Sequence, residues 1–202
     1  MSKFQFPKAI FSRPVYTVLE RRVGSHHLMV ADAEGGGALL DLAKSDSGLM
    51  ADAHVIYIPK HTGDTYSKPL AAFAPGQFYI GSSYEASVAR LRRTLLGAHM
   101  GLQVYLAGTE GLMGQVQSEA AQAGISPESI QSEHRGSVAR RMQCVHCKGI
   151  TEDVTVDPFV CGHCGLNLYV RDHYSRRLAA FQGVCVNAED PGNVPKAKEL
   201  YT

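Results

Sequence analysis

The sequence has no surplus of charge of either sign: 20 Lys and Arg stand against 19 Asp and Glu, a formal net charge of +1. It therefore projects no overall field that would gather nucleic acid or an anionic membrane. Long apolar runs are missing too. No stretch approaches the ~20 apolar residues of a membrane-spanning helix, which excludes a membrane partner of that kind. The opening MSKFQFPKAIFSRPVY has no unbroken hydrophobic segment and no small-residue cleavage site, and Pro7 and Pro14 interrupt it. It reads as mature protein, and the expected location is the cytoplasm.

Cysteine is sparse but patterned. Four of the five cysteines fall into two C-x-x-C pairs, which in a reducing compartment points to metal or redox chemistry more than to disulfides. A hydrophobic content of 45% with 19% charged residues supports a packed core, and 202 residues suit one domain plus a small module.

Strand and helix signals alternate along residues 28–134. Leu28 to Ala31 is a short apolar run, the glycine-rich turn Ala33 to Ala38 follows it, and Ala38 to Lys44 has helical composition. His54 to Ile58 and Gln77 to Ile80 read as strands, with a weakly structured loop over 60–77. Ser82 and Glu85 form an S-x-x-E capping box that opens a helix to Gly97, with Val88, Leu91 and Leu95 on one face. Gln103 to Gly108 is a further strand. Thr109 caps the next helix, which stops near Gly124. Ser126-Pro127-Glu128 starts a short turn and Ile130 to Glu133 a last strand. This alternation predicts an α/β fold with a parallel sheet, whose ligands bind beyond the carboxyl ends of the strands. The candidate ligand contacts at those ends are then Gly35, Gly36, Gly37, Gly108, Thr109 and Glu110. The polar, basic stretch 134–141 marks the boundary, giving domains 1–137 and 138–202.

The second domain carries C-x2-C-x13-C-x2-C, formed by Cys144, Cys147, Cys161 and Cys164. Each C-x-x-C is a tight knuckle that puts two sulfurs on one side, and two facing knuckles complete a tetrahedron. The intervening KGITEDVTVDPFV offers a strand pair with a turn, and Gly149 and Gly165 leave room for amides to point at the sulfurs. Zinc would stabilise so small a segment outright. A single iron on the same four thiolates would make it a one-electron carrier. His146 and His163 sit inside the knuckles as alternative ligands or as exposed charges, and unpaired Cys185 reads as a buried structural thiol.

The run HHLMVADAEGGGALLDLAKS resembles the opening of the nicotinamide-binding domain of ferredoxin–NADP reductase-type enzymes, and VYLAGTEGLMGQVQSEAAQAGISPESIQSEH resembles its end. The chain departs from that pattern in two places. Asp32 and Glu34 put negative charge where a pyrophosphate would approach, and Ala107-Gly108-Thr109 replaces Cys-Gly-Pro. Two readings follow: a retained NADPH site, or a nucleotide fold kept as scaffold.

Such a domain followed by a four-cysteine ribbon and the HYSRRLAAF tail resembles the small-subunit family of bacterial dimethylamine monooxygenase, the DmmA-like proteins, most specifically over residues 140–191. The resemblance implies an accessory subunit of a haem-dependent system that uses NADPH and dioxygen to convert dimethylamine into methylamine and formaldehyde. It implies haem on a partner oxygenase subunit, and flavin with a [2Fe–2S] centre on a partner reductase subunit. Within that reading Arg171, Arg176 and Arg177 with Tyr169 and Tyr174 form either a docking surface or an ordinary solvated face. Phe4, Phe6, Phe11 and Tyr16 either cap the domain or contact a partner. The competing classes are a rubredoxin-like carrier or NAD(P)H-binding redox component, and a nucleic-acid-binding zinc ribbon using Arg135, Arg140 and Arg141.

Overall fold

The computed structural model describes residues 14–60, 63–73 and 77–201; Phe4, Phe6 and Phe11 lie outside them. Strands β1 (His26–Asp32), β2 (Ala53–Ile58), β3 (Phe78–Ile80), β4 (Leu102–Gly108) and β5 (Ile130–His134) form one sheet in the order β3-β2-β1-β4-β5. Every pairing in it is parallel. The order reverses at β1, so the crevice of a doubly wound sheet opens at the carboxyl ends of β1 and β4.

Alternation along the strands feeds two cores. Met29 and Ala31 pack with Leu39 and Leu42 of α1 (Gly35–Ser45) and Leu70 of α3 (Ser67–Phe73), alongside α2 (Ser47–Ala51). Leu28, Val30 and Leu106 face the other way, onto Leu91 and Leu95 of α4 (Tyr84–Leu96) and Met113 and Val116 of α5 (Glu110–Gln122). Truncating one such Leu to Ala in a filled core costs about 2–5 kcal/mol. The outer edge of β5 is covered by the incoming chain: Thr17 N donates to Ser132 O (2.9 Å), Leu19 N to Glu133 Oε2 (2.8 Å), and Glu20 N to Gln131 Oε1 (3.0 Å).

Three local expectations shift. Helix α1 starts inside the glycines, at Gly35. The stretch expected as loop contains α3. The cap of α4 is Ser83, one residue later than expected, because Ser83 is the last extended residue and accepts from Ala86 N at 3.2 Å. Thr109 caps α5 as the sequence indicates, and the turn at Pro127–Ser129 is a single 3₁₀ turn.

A second sheet has the order β7-β6-β11-β10-β9. Its strands are β6 (Arg140–Cys144), β7 (Ile150–Val154), β9 (Phe159–Val160), β10 (Asn167–Ser175) and β11 (Ala180–Cys185). Strand β8 (Val156–Asp157) pairs instead with β12 (Lys198–Glu199). Residues 148–160 therefore form no hairpin of their own. Strand β7 returns along β6 and β9 leads into β10, so each cysteine knuckle is the tip of a separate hairpin.

The two sheets meet on α5. Gly114 lies under Tyr174, whose hydroxyl would sit 2.1 Å from a Cβ at that position, and Ser118 Oγ donates to Arg177 O at 2.9 Å. Tyr174 is thus a buried joint residue, 5% exposed, rather than part of an outer docking face. Burial pushes its hydroxyl up to about 12.

Candidate metal centre

The two knuckles are built by the same backbone bonds. In the first, Lys148 N donates to Cys144 O (3.0 Å) and Cys144 N to Gly149 O (3.0 Å). In the second, Gly165 N donates to Cys161 O (3.0 Å) and Cys161 N to Leu166 O (2.9 Å). Each turn needs a left-handed residue after its second cysteine: Lys148 at φ 64° and Gly165 at φ 73°. Gly149 has a different task. A Cβ there would meet the His163 ring at 2.5 Å, and its amide points at Cys147 Sγ (3.4 Å). His163 is held by its own bond to Ile150 O, 2.6 Å.

These turns bring all four sulfurs together, every pair within 4.8 Å. Cys144 Sγ and Cys164 Sγ are 3.8 Å apart, Cys147 Sγ and Cys161 Sγ 3.7 Å. A metal with bonds of ~2.3 Å to four sulfurs at tetrahedral angles requires edges of about 3.8 Å. A disulfide requires ~2.05 Å. The donor set therefore fits one tetrahedral ion. Cys144 and Cys161 are buried, and Cys147 and Cys164 half-buried.

Electrostatics point the same way. Burial opposes ionisation of Cys161, but the amides of Cys164 and His163 overcome it and hold the thiol down to about 6. Cys164 goes the other way: the Leu166 amide lowers it, yet burial and the three neighbouring thiols drive it up to about 12. Sulfurs this close compete for a single negative charge, and a bound dication removes the competition. Cys185 is half-buried rather than buried, its thiol donating to Asn187 Oδ1 at 3.3 Å.

The glycine turn is arranged differently. A Cβ on Gly35 would lie 2.2 Å from Ala107 O, and one on Gly36 would lie 2.6 Å from Tyr66 Cβ. Tyr66 also stands 3.3 Å from a Cβ on Gly37. The amides of Gly36 and Gly37 already donate to Ala33 O (3.1 Å) and Glu34 O (3.0 Å). Gly108, at φ 123°, lies against Asp32, whose carboxylate accepts from Thr109 N (2.7 Å) and Thr109 Oγ1 (2.6 Å) and pairs with Lys60 (3.2 Å). Glu110 is buried and accepts from Tyr16 Oη at 2.8 Å.

The crevice beyond these strands measures about 670 Å³ and carries Asp32, Glu34, Glu85, Glu152 and Asp153 against Lys60 and Arg141. A pyrophosphate needs free amides and positive potential at this helix terminus. The amides of Gly36 and Gly37 are occupied, Gly35, Gly36 and Gly37 do not line the crevice, and carboxylates stand at it, so these residues do not fit a dinucleotide. The signal missed in the sequence was Asp32, which reads as a repulsive charge and acts as the staple between β1 and β4.

Arg135, Arg140 and Arg141 form no basic patch. They pair with Glu133, Asp172 and Glu152, and Arg140 is further clamped between the rings of Phe181 and Tyr201. Among the described residues no helix is long and apolar enough to cross a membrane.

Comparison with known proteins adds three findings. Residues 8–130 match the family model described as dimethylamine monooxygenase subunit DmmA-like, N-terminal domain, and residues 141–184 match the corresponding C-terminal domain. The delta subunit of the heme-dependent oxidative N-demethylase of Ectopseudomonas mendocina (strain ymp) is 34% identical over 101 residues, 50% of this chain; the chain spans 58% of that relative's length. Among solved structures, phthalate dioxygenase reductase aligns over 70% of this chain and 47% of its own, with 13% identity and a TM-score of 0.47. Full-length CYP116B46 from Tepidiphilus thermophilus aligns over 75% and 19%, with 13% identity and a TM-score of 0.43.

Proposed function

This chain belongs to the DmmA-like family of dimethylamine monooxygenase subunits, and from that premise we propose that it is the accessory subunit of a haem-dependent oxidative N-demethylase. The whole system takes dimethylamine, dioxygen, NADPH and a proton to methylamine, formaldehyde, NADP+ and water. It works in the cytoplasm, with haem on an oxygenase subunit and flavin with [2Fe–2S] on a reductase subunit. This chain holds zinc on Cys144, Cys147, Cys161 and Cys164, and it divides at residue 137 into a nucleotide-type scaffold and a zinc ribbon. Its contribution is assembly: the ribbon is locked to α5 so that two rigid surfaces are presented together.

The observation that carries this is the contrast between a donor set that fits an ion and a glycine turn that does not fit a pyrophosphate. A subunit without a hydride-collecting site has a structural task or passes single electrons. Zinc on four thiolates has no redox change and supports the first. The nucleic-acid reading has no support in the paired Arg135, Arg140 and Arg141.

The test is metal content with a visible spectrum on the purified chain, followed by reconstitution with the oxygenase and reductase subunits. One colourless zinc per chain, and demethylation that needs this chain, is the expected result. Stoichiometric iron with a red oxidised spectrum would replace assembly by electron delivery. Full demethylation without the chain would end the subunit reading.

A further inference from the structure

Along the C-terminal half of α5, the incoming chain, β5 and the turn between β10 and β11 line a groove of about 860 Å³. Its apolar wall includes Val15, Ile125 and Ile130, and Val15 is 87% exposed. Three arginines line it: Arg22 from the incoming chain, and Arg176 and Arg177 from the turn between β10 and β11. No Asp or Glu lines it. Among the described residues none of the three has a carboxylate partner, a condition shared with Arg90, Arg93 and Arg171, whereas Arg21, Arg92, Arg135, Arg140 and Arg141 are paired. Arg22 is steadied by the carbonyl of Glu128, a neutral acceptor that leaves its charge uncancelled. The turn bearing Arg176 and Arg177 is fixed to α5 through the Ser118 bond to the Arg177 carbonyl.

We propose that this groove docks an acidic, apolar-anchored polypeptide segment of a partner subunit, with Arg22, Arg176 and Arg177 pairing its carboxylates. This rests on the subunit reading above and names the surface used. Guanidinium groups present planar forks that suit carboxylates two bonds at a time. Three held around an apolar cleft favour a ligand with both chemistries, and charge of opposite sign also raises the rate of encounter. This chain's own residues 1–13 have the wrong sign for the role: they carry Lys3, Lys8 and Arg13 and no acid.

The test titrates the full-length, fluorescently labelled protein with the purified oxygenase subunit and with the purified reductase subunit. Wild type is compared with Arg176→Glu/Arg177→Glu, with Arg22→Glu, and with Arg171→Glu as a control on exposed β10, away from the groove. Because the Ser118 bond uses a backbone carbonyl, the side-chain changes leave the turn's anchor in place. Circular dichroism and metal content verify the fold of each variant.

The expected result is at least tenfold weaker binding of one subunit for the double variant, a smaller loss for Arg22→Glu, and less than a twofold change for Arg171→Glu. Wild-type binding should weaken several-fold as salt rises from about 50 to about 300 mM, with the double variant much less salt-sensitive. Hydrogen exchange should show α5 protected in the complex, and the protected partner segment should contain Asp or Glu. Tight wild-type binding that the double variant retains overturns the groove and leaves the subunit reading standing. If wild type binds neither subunit, the subunit reading falls and takes the groove with it. Protection of α5 without partner, lost when residues 1–13 are deleted, would show the groove filled in cis and would overturn the proposal.

Discussion

Two motif-bearing turns in this chain reach opposite outcomes. At the cysteine knuckles, paired backbone bonds hold four sulfurs apart at about the edge length of a metal tetrahedron. At the glycine turn, the same kind of spaced signal closes on itself: Gly35 on the Ala107 carbonyl, Gly36 and Gly37 under Tyr66, Gly108 against Asp32. A cysteine pattern states a chemistry, because two C-x-x-C pairs have few other uses. A glycine pattern states only that something approaches the backbone closely. Whether that something is a phosphate or the protein itself depends on distant residues.

The sharpest way to break this comparison is to remove one sulfur. Cys144→Ser should abolish metal binding and melt β6 through β11, while the five-stranded parallel sheet stays folded. The loss is the largest expected here, since binding at such sites supplies on the order of 10 kcal/mol to small metal modules. Limited proteolysis with metal analysis reads it: cleavage should concentrate beyond residue 137 and spare the rest. A Cys144→Ser protein that keeps both metal and protease resistance would make the tetrahedron incidental.

Next comes the glycine turn. Gly35→Ala places a Cβ 2.2 Å from a backbone carbonyl, and Gly108→Ala adds a positive-φ penalty to a 1.9 Å clash with the Asp32 carboxylate. Each should destabilise the parallel sheet by about 3 kcal/mol, read as a lower urea midpoint at unchanged slope. A cofactor cradle behaves in the opposite way, losing ligand affinity at little cost in stability. NADPH binding by the wild-type chain, lost in Gly36→Ala without a stability change, would restore the dinucleotide site.

The joint on α5 lies between these extremes. Gly114→Ala puts a methyl 2.1 Å from the Tyr174 hydroxyl and 3.0 Å from Ala179 Cβ, so the second sheet must lift or Tyr174 must rotate. A loss of about 1–3 kcal/mol is expected. Zinc should stay bound, because no knuckle residue moves. Calorimetry should then show two transitions drawing apart. A single cooperative transition would mean that the sheets share more than this contact.

How much of this was legible in the sequence follows the same division. Strand and helix order could be read because apolar runs such as Leu28 to Ala31 and His54 to Ile58 are buried on both faces, and such runs are hard to place elsewhere. The meeting of four cysteines could be read from spacing alone. The hairpin partners could not: residues 148–160 look like a strand pair, yet β7 pairs with β6 and β9 with β10, because the hydrogen bonds of each knuckle make it the nearer turn. Nor could Tyr174, which shares its neighbourhood in sequence with exposed arginines and is buried only because Gly114, sixty residues earlier, lacks a side chain. Long-range complementarity of that kind leaves no local pattern.

The smallest prediction separates the two sheets by acid. His27 is buried at the base of β1, with its Nδ1 3.4 Å from Tyr105 Oη. Burial, reinforced by the Arg21 charge, lowers its pKa below the ordinary 6.5. The folded protein therefore binds this proton less readily than the unfolded chain does. The stability it contributes is complete above 6.5 and is lost as pH falls through the lowered value, with a slope of at most about 1.4 kcal/mol per pH unit for one proton. The metal site responds to acid for another reason: its thiolates must be deprotonated to hold an ion, so falling pH releases it. Two acid responses should thus appear, one in each sheet. His27→Asn should reduce the slope of the parallel sheet below pH 6.5, leaving the share of His54, whose pKa burial and the Arg90 charge also lower, and should leave metal release unchanged, measured by urea unfolding at stepped pH beside a zinc-indicator titration. If metal release moved with the His27 substitution, the two sheets would be coupled through β1 and β4, and the contrast between an open knuckle and a closed turn would have to be redrawn as one cooperative unit.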